Sequence, residues 1–147
     1  MLAHLQALEA SLAPLNYPTH RIYAADDALA TLPYLVLEAA SWGGAIDMPV
    51  CGESDSLHTT FRVKAVGANP DAVLIALGRV RALWSPRREW TQVPMVGRVL
   101  QVSYRRSEGT SGADFAGVYV DRDVTLPGSN SHPGVGVDTY SLDSQPA

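Results

Sequence analysis

A single cysteine, Cys51, in 147 residues excludes an internal disulfide and a structural zinc centre built on cysteines. No run of 18 apolar residues occurs, so no transmembrane helix is expected. The first residues, Met1-Leu2-Ala3-His4-Leu5-Gln6, carry neither the charged start nor the continuous apolar core of a secretory signal, and synthesis in a reducing cytoplasm is the expectation. Lysine is nearly missing: ten of the eleven basic residues are arginine, with Lys64 the exception. That skew suits rigid, planar contacts at interfaces. A formal net charge of −4 argues against a general nucleic-acid coat, which would be basic. No glycine-rich phosphate loop, nucleophile elbow or metal-ligand spacing occurs, so the chain is not expected to be an enzyme or to hold a cofactor.

The rest is ordinary for a globular protein: 46% hydrophobic and 18% charged residues. A chain of this size buries roughly 68–70% of its unfolded surface, enough for a core without staples. Residues 2–13 read as a short helix, because Leu2, Leu5, Leu8 and Leu12 form one stripe. Pro14 and Pro18 end it. Thr19 to Ala24 reads as a first strand, and Ala28-Leu29-Ala30-Thr31, after Asp26 and Asp27, as a turn or one helical turn. Pro33-Tyr34-Leu35-Val36-Leu37 is apolar on both faces, which suits a central strand. Residues 38–56 have no clear periodicity and hold Gly43-Gly44, Pro49 and Gly52 among apolar residues, so they read as a long loop that meets a neighbour or folds into an extended hairpin.

Strand signals resume at Leu57 to Val66. Leu57, Thr59, Phe61, Val63 and Ala65 share one face, and His58, Thr60, Arg62 and Lys64 share the other. Asn69, Pro70 and Asp71 then supply an N-cap, a first-turn proline and an acid at the positive helix end. The predicted helix over 71–84 carries Val73, Leu77, Val80 and Trp84 as its apolar stripe, and Pro86 stops it. Ser85 to Pro94 reads as a loop. Val96–Arg106 and Val118–Leu126 alternate and are expected to pair as a hairpin. From Pro127 the chain turns to Gly, Pro and Ser, and 127–147 is expected to be an extended or flexible arm. The predicted architecture is α+β: a mostly antiparallel sheet of about five strands, two helices packed on one face, a body over 1–126 and the arm over 127–147.

Most polar candidates have plain structural readings. Cys51 lies in the long loop with His58 as its nearest histidine, and a structural thiol is the favoured reading over a nucleophile. His4, His20, His58 and His132 are scattered, without ligand spacing. Asp121 with Asp123, and Asp26 with Asp27, read as solvated faces or salt bridges between subunits rather than acid–base or cation sites. Arg79, Arg81, Arg87 and Arg88 cluster at the end of the second helix. Phosphate contact is one reading; placement at a helix C-terminus with carboxylates of a neighbour is the favoured one. Trp84 continues the core stripe, whereas Trp42 and Trp90 fall in loops and read as interface anchors.

The Leu-rich first helix, Leu32-Pro33-Tyr34-Leu35-Val36-Leu37, the strand ending Val63-Lys64-Ala65-Val66-Gly67, the helix running into Val80-Arg81-Ala82-Leu83-Trp84, and Val118-Tyr119-Val120-Asp121-Arg122-Asp123-Val124 together resemble the tail terminator proteins of long-tailed bacteriophages. The resemblance covers roughly residues 1–126. It implies a structural virion protein at the head-proximal end of the tail. Such a protein forms a homohexameric ring that caps the tail tube, ends its polymerisation and meets the head connector. The implied partners are further copies of the chain, the tail tube protein, the head–tail connector protein, and genomic DNA that passes through without sequence-specific binding; no membrane is involved. Alternatives are another head–tail joining or neck protein, or a small carbohydrate-binding module using Trp42 and Trp90. For a ring, the interface candidates are Trp42, Ile46, Met48, Arg87, Arg88, Trp90, Val137, Tyr140 and Leu142. The arm, through Val135-Gly136-Val137-Asp138-Thr139-Tyr140, is expected to add to a neighbour as a strand.

Overall fold

The computed structural model describes residues 2–22, 24, 26–39, 45–47, 56–108 and 117–147. Among these residues, eight strands form one sheet, and two α-helices, α1 (Leu2–Ser11) and α2 (Pro70–Trp84), lie on one of its faces. The strands are β1 (Thr19–Arg21), β2 (Tyr34–Ala39), β3 (Ala45–Asp47), β4 (Ser56–Gly67), β5 (Thr91–Met95), β6 (Arg98–Ser107), β7 (Tyr119–Val120) and β8 (Gly134–Pro146). The main run is ordered β1-β2-β4-β8-β6-β5, with β3 on β4 and β7 on β8. The α+β class therefore holds, with more strands than the five expected. The sheet is mixed because β1 pairs β2 in parallel; every other pairing is antiparallel.

The largest correction concerns residues 127–147. They are not an arm: β8 is an interior strand, paired with β4 from Leu57↔Ser144 to Gly67↔Gly134 and with β6 on its other side. Tyr140 and Leu142, expected at an interface, are core residues at 0% and 1% exposure. The composition of 127–133 is indeed that of a turn, and it forms one, with the Leu126 N–H donating to the Ser131 carbonyl at 2.8 Å. Past Pro133 the chain runs extended, with Val135 and Val137 on one face and Tyr140 and Leu142 on the other, and the backbone groups of β8 are satisfied by two neighbours within its own chain.

Two further pairings differ from expectation. Residues 91–95, read as loop, are β5, joined to β6 through Val96 and Gly97; Gly97 supplies the left-handed residue of that turn at φ +72°. The predicted hairpin partner, 118–126, contributes only β7, which pairs β8 at Tyr119↔Val135 and Val120↔Gly134. Strand β8 takes that edge of β6 instead, pairing from Arg98↔Pro146 to Ser107↔Asp138.

The main core lies between sheet and helices. Leu5, Leu8 and Leu12 of the first helical segment meet Val73, Ala76, Leu77, Val80 and Trp84 of α2 over Leu35, Leu37, Phe61, Val63, Leu100, Val102, Tyr140 and Leu142. The Asn69 side chain caps α2 by accepting from the Ala72 N–H at 2.9 Å, with Pro70 at the first turn. Helix and strand steps match along β8. Four helical residues rise about 6 Å and two strand residues about 6.7 Å. Leu77 and Val73 thus sit over Gly136, Arg81 meets Asp138, and Trp84 meets Tyr140. A Cβ on Gly136 would lie 2.9 Å from Leu77 Cδ1 and Val73 Cγ1, so glycine is what lets α2 approach. Tyr34 and Val36 face the other way, into a smaller cluster with Ala28, Val66 and Val135. Strand β2 is thus covered on both faces, although it is second from the end of the run rather than central.

Candidate functional site

The most concentrated polar chemistry lies at the C-terminal half of α2, on the helix-covered face of the sheet. Asp138 is fully buried in β8, on the same side of the strand as Gly136, Tyr140 and Leu142. Its carboxylate accepts from Arg81 Nε at 2.6 Å, from Arg81 Nη2 at 2.9 Å and from Ser107 Oγ at 2.9 Å. Arg81 Nη2 also donates to Ser107 Oγ at 2.9 Å, and the guanidinium lies 4.8 Å from the centroid of the Tyr104 ring. The hydrogen bond to Asp138 raises the Arg81 pKa above its ordinary value, against the opposing effect of burial. A buried charge survives only when paired and hydrogen-bonded. Arg81 meets that need while keeping about a third of its side chain in water.

An aromatic cluster backs this pair. Tyr140 stacks on Phe61 at 5.5 Å and meets Trp84 and Tyr104 edge-on at 5.3 and 5.7 Å. Its hydroxyl is buried, with no hydrogen-bond partner among the described residues, and burial pushes its pKa far up. The Trp84 Nε1–H donates to Ser11 Oγ at 2.9 Å, and Ser11 Oγ donates to the Leu8 carbonyl, tying the end of α2 to the end of α1. Outside the network, Arg81, Ala82, Ser85, Pro86, Arg87 and Tyr104 line an open groove of about 560 Å³.

The sequence-predicted cluster of four arginines is therefore divided. Arg81 points at Asp138, and Arg79 donates to the Tyr17 hydroxyl at 3.0 Å. Arg87 is exposed and adopts a left-handed backbone, φ +55°, inside the short turn Pro86–Arg88. The Arg88 side chain lies outside the described residues, as do all of Trp42, Met48 and Cys51 and the side chain of Ile46; the Ile46 backbone pairs with Leu57 in β3. Trp90 is 58% exposed beside β5, in keeping with its loop position in the sequence. Val137 is half-buried on the face of β8 away from α2.

That second face is polar along its middle. Thr60, Arg62 and Lys64 of β4, Gln101 and Ser103 of β6, and Thr139, Ser141 and Asp143 of β8 share it. Arg62 lies between Glu38 and Glu108 at 3.7 and 3.6 Å, and His58 pairs with Asp143 directly across the strands. Among the described residues no group of three or more His, Cys, Asp or Glu could hold a metal ion. No helix among them is long and apolar enough to cross a membrane.

Exposed apolar side chains mark a different feature. Ile22, Ile75, Trp90 and Val96 are the large ones among the described residues, at 58%, 56%, 58% and 99% exposure. Ile22 directly follows β1, Trp90 directly precedes β5 and Val96 directly follows it. Ile22 also holds φ +73°, a conformation that a β-branched residue adopts only under strain.

Sequence reasoning missed Asp138 and Ser107. Asp138 was visible only as one polar residue in the stretch 135–140. Its parity with Tyr140 and Leu142 was the available signal, and it became meaningful only once Arg81 stood opposite. No family model matches this chain, and no curated protein matches it.

Proposed function

We propose that this chain is a structural virion protein that caps a phage tail tube as a homohexameric ring, ends tube polymerisation and joins the tail to the head connector. The observation that carries this reading is the placement of exposed apolar residues on the two end strands of the sheet's main run. Ile22 flanks β1, and Trp90 and Val96 flank β5, at opposite ends of the order β1-β2-β4-β8-β6-β5. A closed ring of one chain needs two different patches that meet head to tail. End strands also present backbone donors and acceptors suited to pairing with another copy. Pro94 sits within β5 and removes one donor there, which favours contact through Trp90 and Val96 over an unlimited strand-to-strand ladder.

The polar chemistry fits an assembly part. The Arg81–Asp138 pair ties a helix to an interior strand, and the carboxylate it holds is closed to solvent. In the assembled virion the chain sits at the head-proximal end of the tail, and DNA passes the ring without sequence reading. The C-terminal segment, an interior strand here, is no longer an element of the proposed contact.

Two measurements test the reading. Sedimentation equilibrium should give a mass near six chains. Purified rings should bind the ends of tail tubes, and mixing them with tube protein should shorten the tubes formed. A ring that leaves tube length unchanged but binds head connectors would transfer the protein to another neck role. A chain that remains single at all accessible concentrations would refute the ring.

A further inference from the structure

Resting on the ring reading, we propose that the groove at the C-terminal end of α2 receives the acidic Asp121–Asp123 turn of a second copy of this chain, in a head-to-tail contact. The two features lie at opposite ends of α2, a helix of 15 residues and so about 22 Å long. At its start, Gly134 packs against Asn69 so closely that a Cβ added to it would lie only 3.0 Å from the Asn69 backbone. Residue 133 precedes that glycine, and its carbonyl accepts from the Asp121 N–H at 2.9 Å. Asp121 Oδ1 in turn accepts from the Asp123 N–H at 3.1 Å, which holds both carboxylates on one short turn, and the exposed Arg122 between them offsets one of the two charges, leaving the turn net negative. Asp71 adds an exposed acid at the same end. The negative field there is felt by Tyr119, whose pKa is raised first by burial and then by Asp121 and Glu38.

At the other end the groove presents Arg87, Tyr104 and the outer edge of Arg81. Among the described residues Arg87 makes no ion pair and no hydrogen bond through its side chain, and Asp71 and Asp123 make no ion pair. Glu89 is the nearby exposed acid in sequence. Arg79 and Arg87 outweigh it, because Asp138 already neutralises Arg81. A planar guanidinium beside an aromatic ring is suited to a carboxylate arriving on a tight turn.

The charge signs make the contact polar in direction: a basic end cannot meet a basic end, and an acidic end cannot meet an acidic one. That enforces the heterologous geometry a ring requires and disfavours a two-fold dimer through either end alone. The groove is open and about 560 Å³, room for a turn rather than a single ion.

Charge reversal tests the pairing with the full chain. Arg87→Glu and Asp123→Arg each place like charges in the contact. Each is expected to raise the concentration at half-assembly by roughly tenfold or more in low salt, while far-UV circular dichroism stays that of the wild type, because both side chains are exposed. Mixing the two variants one to one restores an opposite-charge pair at every contact of an alternating ring with an even number of subunits. The mixture, and the chain carrying both substitutions, should therefore regain the wild-type mass. Rings that survive both single reversals unchanged overturn this contact and leave the ring reading intact. Single reversals that dissociate but are rescued by neither the mixture nor the double variant overturn the pairing of these two surfaces. A wild-type protein that never associates overturns the contact and the ring together.

Discussion

Replacing Arg81 by methionine should cost far more than altering its partner. The substitution keeps a flexible apolar stem but removes both guanidinium bonds to Asp138, at 2.6 and 2.9 Å. The carboxylate, with no exposed surface, keeps only the Ser107 hydroxyl at 2.9 Å. Breaking a buried pair in this way leaves an uncompensated charge and costs about 3–5 kcal/mol. That is a large part of the roughly 5–15 kcal/mol by which a domain is stable. Asp138→Asn is not equivalent. It leaves no buried charge and keeps one acceptor oxygen, able to serve Arg81 Nη2 and Ser107 Oγ, while its NH2 cannot accept from Arg81 Nε, and Arg81 can turn further into water. Its cost should be about 1.5 kcal/mol, the worth of a charge-assisted bond near solvent. The double variant Arg81→Met/Asp138→Leu exchanges the pair for apolar contact and should recover most of the loss. Urea unfolding followed by circular dichroism measures all three, with unchanged slope as the check on two-state behaviour. Protein concentration must be matched, because association adds to apparent stability. An Arg81→Met cost below about 1 kcal/mol, or one no larger than that of Asp138→Asn, would show that water reaches the carboxylate and would refute the buried-pair argument.

Other outcomes follow from the same geometry. Deleting residues 127–147 removes β8 from between β4 and β6, so the remainder should show no cooperative urea transition; a truncated chain with a native far-UV spectrum would contradict the central placement of that strand. Gly136→Ala drives a methyl to 2.9 Å from Leu77 and Val73 and should cost roughly 1–3 kcal/mol in the same urea assay. Tyr119 and Tyr140 both have raised pKa values, mainly through burial, so folding favours their neutral phenols. Their contribution to stability is complete below about pH 10, the unfolded value, and falls as pH rises above it towards the folded values. A phenolate absorbance titration should show the Tyr119 and Tyr140 phenols ionising late, with the urea midpoint dropping above about pH 10. Substituting Tyr119 and Tyr140 by phenylalanine without removing any late-ionising absorbance would remove that expectation.

The division between chain and fold is clearest at three places. Helix α2 was legible because its signals are local: the Asn69-Pro70-Asp71 start, the stripe Val73, Leu77, Val80 and Trp84, and the stop at Pro86 all act within a few residues. The alternation of β4 was legible for the same reason, and so was the exposed position of Trp90. The partners of the strands were not. Residues 96–106 had an alternating neighbour in sequence at 118–126, yet β8 took that edge from Arg98↔Pro146 to Ser107↔Asp138, because strand pairing is settled by the whole set of cross-strand contacts rather than by nearness along the chain.

The sequence alone determined the α+β class, both helices and the single-face burial of the helical stripes, since these follow from periods of 3.6 and 2 read over short windows. Only the tertiary structure decided that the Gly- and Pro-rich terminus returns as an interior strand. It alone decided that Tyr140 and Leu142 are core, and that Asp138 meets Arg81 across 57 residues of sequence. A carboxylate in a short stretch carries no mark of burial. The charge that makes its burial tolerable comes from a distant helix, and the match of helix rise to strand rise over Gly136 brings the two together.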